Sequence, residues 1–180
     1  MKYSPHDYQI YAVDYIETHP ISTVFLDMGL GKTSITLTAI NDLLFDSFEV
    51  HRVLVIAPLR VARDTWTAEV DKWDHLQNLI CSVAVGTEAQ RRSALMRRAD
   101  IYIINRENVE WLVDYYKQDW PFDMVVLDES TSFKNSQSKR FKAMKRVRRF
   151  IKKMVLLTGT PSSKGLIDLW AQVYLLDGGA

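Results

Sequence analysis

The run Asp27-Met28-Gly29-Leu30-Gly31-Lys32-Thr33 decides how the rest of this sequence is read. An apolar stretch, Thr23-Val24-Phe25-Leu26, precedes it. A helical pattern with Ile35, Ala39 and Leu43 on one face follows it. Strand, tight glycine-containing turn and a helix opening on Lys-Thr together make a phosphate cradle. Gly29 and Gly31 accept backbone angles that a Cβ forbids, so several N–H groups can converge on one anion. The helix start adds its unpaired amides and the positive end of its dipole. In that geometry Lys32 reaches the β- and γ-phosphates of a nucleotide, and the Thr33 hydroxyl ligates Mg²⁺. Leu26 stands where the full pattern G-x-x-x-x-G-K-[ST] has its first glycine. A bare G-x-G-K-T is also what a glycine turn capping an ordinary helix would show. The remaining strands decide between the two.

The chain has 180 residues, 47% of them hydrophobic and 25% charged, which suits one globular domain with a real core. No apolar run approaches a membrane span, and the N-terminus lacks the apolar segment of a signal peptide, so no membrane partner is expected. The single cysteine, Cys81, excludes an intrachain disulfide, and the scattered His6, His19, His51 and His75 have no zinc spacing. A reducing, cytoplasmic setting follows as the expectation. The net charge of +1 is uninformative in itself, but the charge is unevenly placed.

Ser4-Pro5-His6-Asp7 reads as a helix start, with Ser4 as N-cap, Pro5 at the first helical position and Asp7 closing a capping-box-like pair. Tyr8, Tyr11, Ala12, Tyr15 and Ile16 then form one stripe expected to be buried, with Gln9 off it. Gln9 is either a solvated helix residue or an amide reading a base edge. His51 to Pro58 is a continuous apolar run and predicts a central parallel strand. Residues 60–73 predict an amphipathic helix with Ala62, Trp66, Val70 and Trp73 on one side. Residues 79–85 predict a strand broken at Gly86-Thr87. An arginine-rich helix (Arg91, Arg92, Arg97, Arg98) leads to a strand at Ile101–Ile104 ending at Asn105, then a helix over about 107–117. Met124–Leu127 is the next strand, ending in Asp128-Glu129. Met154–Leu157 is the last, ending in Thr158-Gly159-Thr160-Pro161, and a final helix carries Leu166, Leu169, Trp170, Val173 and Tyr174. Strands alternating with helices predict an α/β three-layer sandwich around a mainly parallel sheet. Functional residues in such sheets sit at the carboxyl ends of the strands.

Four apolar residues followed by Asp-Glu supply the second half of a magnesium–nucleotide site. Asp128 at the strand tip can hold Mg²⁺, and Glu129 can accept a proton from attacking water. One strand ending in two solvated acids is common. On the same sheet as G-x-G-K-T, the pair points to a P-loop NTPase that binds ATP and Mg²⁺.

With these residues in place, the chain resembles the first RecA-like lobe of superfamily-two helicases, closest to the Swi/Snf-type DNA translocases. The likeness runs over nearly all of residues 1–180, read as one ATP-binding domain. It is carried in order by Pro5-His6-Asp7-Tyr8-Gln9, by 27–33, by Ala57-Pro58-Leu59-Arg60 with Trp66, Glu69 and Trp73, by Asp128-Glu129 with Phe133-Lys134-Asn135, and by Thr158-Gly159-Thr160-Pro161. The resemblance implies that Gln9 pairs with the adenine edge, and that Met28, Gly29, Leu30, Gly31, Lys32, Thr33 and Ser34 line the nucleotide. It implies that Thr33 and Asp128 hold the metal, with Lys32, Asp128 and Glu129 the catalytic set and Glu129 the general base. Thr158, Gly159 and Thr160 would couple nucleotide state to the nucleic-acid face. Pro58, Leu59, Arg60, Gly86, Thr87 and Asn105 would lie along one DNA strand's backbone, where phosphate ligands need not read bases. A solvated arginine competes with this role for Arg60, and a strand-end cap competes for Asn105.

The implied function is ATP-driven translocation on, or remodelling of, DNA, double-stranded DNA being favoured. A strand-separating DNA or RNA helicase and a non-catalytic nucleic-acid-binding module are the alternatives. Ser130-Thr131 replaces the family's usual Ala-His after the acidic pair, which shortens the reach toward Thr158–Thr160. The chain carries nothing like a second RecA-like lobe with its charge-stabilising arginines, so slow turnover is expected unless such a lobe is supplied in cis or trans. The compact spacing suggests a small phage-encoded member acting in a bacterial or phage-infected cell, with the nucleoid as one setting. Lys139, Arg140, Lys142, Lys145, Arg146, Arg148, Arg149, Lys152 and Lys153 make a positive run that reads equally as a phosphate track or as a solvated helix face.

Overall fold

All the apolar runs become strands of one sheet: β1 (Ile21–Phe25), β2 (Val53–Ala57), β3 (Cys81–Ala84), β4 (Ile101–Asn105), β5 (Met124–Asp128) and β6 (Lys153–Thr158). The computed structural model describes residues 1–26, 29–129 and 138–159. Within it the strand order is β1-β6-β5-β2-β4-β3, and every pairing is parallel. The four inner strands are buried along their whole length, whereas the edge strands β1 and β3 are buried only at alternate positions. This is why the inner runs read as continuously apolar.

Among the described residues, six α-helices pack on the two faces: α1 (Asp7–Thr18), α2 (Lys32–Phe45), α3 (Trp66–Lys72), α4 (Glu88–Met96), α5 (Val109–Tyr116) and α6 (Lys139–Val147). One core joins Leu54, Tyr102, Val125 and Leu156 to α4, α5 and α6. The other joins Val53, Ile103, Val126 and Leu157 to α1, α2 and α3. Successive strand residues point to opposite faces, so each inner strand feeds both cores. The result is the expected α/β three-layer sandwich. The final helix read at 166–174 lies outside the described residues.

Several local expectations are corrected. α1 starts at Asp7 with His6 as its N-cap, and the capping contact is the His6 N–H donated to Gln9 Oε1 at 2.8 Å. Its inward face is Gln9, Ala12, Val13 and Ile16, at helical spacing. Tyr8 and Tyr11 are exposed, and Gln9 is on the buried face rather than off it. The single helix read over 60–73 is a π-helical turn, Val61–Thr65, running into α3. Arg97 and Arg98 lie beyond the end of α4, and α5 is flanked by short 3₁₀ turns.

The basic run is not one solvated face. Arg148 and Lys153 are buried. Arg148 Nη1 donates to Ile151 O at 2.8 Å. Lys153, the first residue of β6, donates its ammonium to the carbonyls of Ile16 (3.2 Å), Glu17 and His19 (3.3 Å), the C-terminal end of α1. A cation there complements the helix dipole and satisfies carbonyls that have no helical partner. Arg146 pairs with Asp114 at 2.8 Å, and Lys152 donates to Glu49 O at 3.1 Å. No helix among the described residues is long and apolar enough to cross a membrane.

Candidate nucleotide site and neighbouring strand tips

Leu26 continues β1 rather than opening the loop. Its N–H donates to Thr158 O at 3.3 Å, extending the β1–β6 pairing. Asp27 and Met28 lie outside the described residues. Gly29 and Gly31 follow with φ of 89° and 87°, the left-handed region a side chain would strain. At Gly31 glycine is required twice over, because a Cβ would stand 2.6 Å from Gln9 Nε2. At Gly29 a Cβ would meet nothing within 4 Å, so this part of the backbone faces open space. Gly31 then caps α2, whose first-turn amides have no partner within the helix. Ser34 lines the cleft, but its hydroxyl is already donated to Gly31 O at 3.0 Å.

The loop is clamped from α1. Tyr8 Oη and Gln9 Nε2 both donate to Leu30 O, at 3.0 and 3.4 Å. With its oxygen on His6 N–H, the Gln9 amide has a fixed orientation beside the glycine turn. The spacing of Gln9 and Leu30 hid this contact, since a buried amide does not register in an apolar periodicity.

Asp128 ends β5 and is buried. Its Oδ2 accepts the Trp66 indole N–H at 3.0 Å. Burial raises its carboxyl above the usual range, opposed by the indole hydrogen bond and the Lys32 charge. Glu129 follows with φ 56°, a left-handed conformation that costs a non-glycine residue about 1–3 kcal/mol and concentrates at functional sites. That turn brings Glu129 Oε1 to 3.7 Å from Lys32 Nζ. The tip of β6 closes the far side: a Cβ on Gly159 would sit 3.8 Å from Lys32 Nζ. Thr158 is fully buried. Thr160, Ser130-Thr131 and Phe133–Asn135 lie outside the described residues.

Gln9, the 29–34 turn, Asp128 and Glu129 line one cleft of about 610 Å³, which runs on past Tyr3 to Glu69 and Trp73. A cation, a turn of helix-start amides, a hydroxyl at Thr33 and a carboxylate fixed by an indole fit a magnesium–polyphosphate donor set. The residues present therefore suit the ligand that the sequence suggested. Sequence reading placed Trp66 on an apolar helix face and in the motif that follows β2, but missed its hydrogen bond to Asp128.

The remaining tips lie on the other side of β5. Leu59 and Arg60 follow β2 and are exposed, and Arg60 has no hydrogen bond or ion pair among the described residues. Gly86 has φ 99°, and Thr87 caps α4 through a reciprocal pair with Gln90 (3.2 and 2.8 Å). Asn105 is buried, donates to Glu107 Oε2 at 3.3 Å and accepts from Asn108 Nδ2 at 2.8 Å. Its amide is held by side chains of the following turn, and it makes no cap hydrogen bond to a backbone amide.

Comparison with known proteins gives a consistent family. The sequence profile of the SNF2-related domain matches residues 18–179. A putative protein p41 of Acyrthosiphon pisum secondary endosymbiont phage 1 is 38% identical over 98% of this chain and 40% of its own length. The rice DNA repair and recombination protein RAD54 is 26% identical over 85% of this chain and 16% of its own. Among solved structures, the Sulfolobus solfataricus SWI2/SNF2 ATPase core in complex with dsDNA superposes with a TM-score of 0.75 at 27% identity, covering 99% of this chain and 37% of that one. The chain therefore spans less than half the length of these relatives.

Proposed function

Because this chain belongs to the SNF2-related domain family, we propose that it is the ATP-gripping lobe of a motor that uses ATP hydrolysis to translocate on or remodel double-stranded DNA. The observation that carries the reading is the convergence of Lys32, Asp128 and Glu129 with the glycine turn in one cleft.

In this reading the amides of 29–34, with Met28 beside them, cradle the phosphates, and Lys32 binds their outer oxygens. Gln9, its amide fixed at the turn, faces the adenine edge. Thr33 and Asp128 hold Mg²⁺, which when bound neutralises phosphate charge. Glu129 orients the attacking water and takes its proton. Lys32 Nζ stands 3.7 Å from Glu129 Oε1, so the cation that binds phosphate lies beside the carboxylate that acts as base. Thr158, Gly159 and Thr160 couple nucleotide state to the nucleic-acid face, with Gly159 on the side of the cleft where Lys32 lies. Pro58, Leu59, Arg60, Gly86 and Thr87 form the tips offered to a DNA backbone, and Asn105 braces the β4 tip between them. A second lobe, in cis or trans, supplies the arginine that stabilises the transferring phosphoryl group. Without it, turnover is slower by on the order of 10³–10⁵.

The test is ATP hydrolysis by this chain with and without double-stranded DNA, using Lys32→Ala as the blank, then with a second lobe added. DNA-stimulated, Lys32-dependent turnover that rises steeply with the second lobe is expected. Turnover that is indifferent to DNA and to Lys32 would remove the motor reading.

A further inference from the structure

We propose that Trp66 is the positioning residue for Asp128, fixing the carboxylate that holds Mg²⁺; the inference rests on the metal role proposed for Asp128 above. Trp66 is fully buried and heads the largest side chains in that class. It lies 62 residues from Asp128 in sequence, on the helix that follows β2, yet its indole N–H ends 3.0 Å from Asp128 Oδ2. A residue chosen only to fill the core would carry no donor, since a buried N–H without an acceptor costs about 1–3 kcal/mol. Here the donor is aimed at the one carboxylate that closes β5. With the indole on Oδ2, the carboxylate's rotation is restricted while Asp128 still lines the cleft.

The backbone before Trp66 is shaped for this contact. The π-helical turn Val61–Thr65 adds a residue to the helix, and each added residue turns the following face by about 100°. The turn is anchored at its start by Ala62 N–H on Pro58 O at 2.8 Å. It thus sets the rotation of Trp66 relative to the Pro58–Arg60 tip. β2 and β5 are neighbours, so this hydrogen bond crosses the boundary between the strand tips beside the glycine turn and those beyond β5. Among the described residues it is the side-chain hydrogen bond that ties the β2 side to the acidic pair. Outer-shell partners of this kind orient a metal ligand, and their loss typically weakens metal affinity about 10–100-fold.

The experiment titrates Mn²⁺ by electron paramagnetic resonance onto the chain with AMP-PNP bound. It compares wild type, Asp128→Asn, Trp66→Phe, and a variant in which Trp66 alone is replaced by 3-benzothienylalanine. That analogue keeps the shape of the indole but has sulfur in place of N–H, so it separates the hydrogen bond from packing if the phenylalanine variant folds poorly. Expected are Mn²⁺ affinities at least about tenfold weaker in both Trp66 variants. AMP-PNP affinity in EDTA should stay as in wild type, and the benzothienyl variant should remain folded, melting lower only by the few degrees that one lost hydrogen bond brings. If Asp128→Asn weakens Mn²⁺ while the benzothienyl variant binds it as wild type does, Trp66 only fills the core and the inference falls. If Asp128→Asn leaves Mn²⁺ binding unchanged, or no nucleotide-dependent Mn²⁺ site exists, the metal assignment itself fails and takes the inference with it.

Discussion

The carboxyl edge of the sheet divides into two trios of strands that solve different problems. In β1, β6 and β5, residues remote in sequence converge: Gln9 on Leu30, Trp66 on Asp128, Lys32 facing Glu129. In β2, β4 and β3, the tip residues bond to near neighbours: Asn105 with Asn108, Thr87 with Gln90, Arg91 with Gly86 O at 2.6 Å. The first trio is organised by the tertiary fold: Asp128 is buried and bonded to Trp66, and Gln9 is held on the glycine turn. The second is a row of strand tips whose side chains bond locally, beside an exposed arginine, suited to following a repetitive phosphate backbone rather than enclosing a small molecule. Convergence marks a site for chemistry, and local bonding marks a surface.

The largest effect should come from the strained member of the first trio. Glu129→Gln keeps the shape and the left-handed backbone but removes the proton acceptor. Single-turnover ATP hydrolysis in the presence of double-stranded DNA and the second lobe should fall by about 10²–10⁴-fold, with AMP-PNP binding retained. Unchanged hydrolysis would move the base elsewhere. Lys32→Ala should instead strike binding. Losing a charge-assisted contact to phosphate costs about 1.5–3 kcal/mol, so fluorescent-nucleotide affinity should drop about 10–100-fold. Because the variant also releases Glu129 from its cation, it separates gripping from proton transfer.

The second trio should respond differently. Arg60→Ala should weaken double-stranded DNA binding uniformly across sequences and lower the slope of log affinity against log salt by about one, with nucleotide affinity unchanged. Asn105→Ala should leave that slope alone and lower stability by about 1 kcal/mol, measured by urea unfolding, because its amide is spent inside the fold. A salt-slope change in Asn105→Ala would overturn the division between the trios.

Much of this was legible in the sequence because strand tips announce themselves. Continuous apolar runs located the inner strands, and the residues ending them located Lys32, Asp128 and Thr158. The contacts that fix those residues were not legible. Gln9 is polar and Trp66 is apolar, so hydropathy assigned one to solvent and the other to the core, and neither assignment reveals a hydrogen bond to a distant loop. Tyrosines at helical spacing mimicked a buried stripe on α1, since an amphipathic ring fits either face. The π-helical turn has no periodic signal. Charge counting likewise placed Arg148 and Lys153 on the surface, because burial of a cation depends on carbonyls that only the folded chain brings near.

That last case gives the smallest and most specific test. Lys153 fastens the amino end of β6 to the C-terminal carbonyls of α1, the helix whose other end carries Gln9, so the first trio is tied below as well as above. Glu17 stands in the same cluster with its carboxyl pushed up to about 8. The causes are burial, then a hydrogen bond and repulsion from Asp42, then repulsion from Asp14, with Lys153 opposing. A carboxyl whose folded value lies above its ordinary 4.5 contributes stability that is fully present below pH 4.5 and lost as pH rises through about 8. The wild-type melting temperature should therefore decline from about pH 5 to about pH 9. Glu17→Gln, neutral throughout, should decline less, so that its advantage over wild type grows with pH. Parallel curves would mean that Glu17 is ionised and solvated in the folded chain, and that the lower tie of the first trio consists of Lys153, Glu49 and the α1 carbonyls alone.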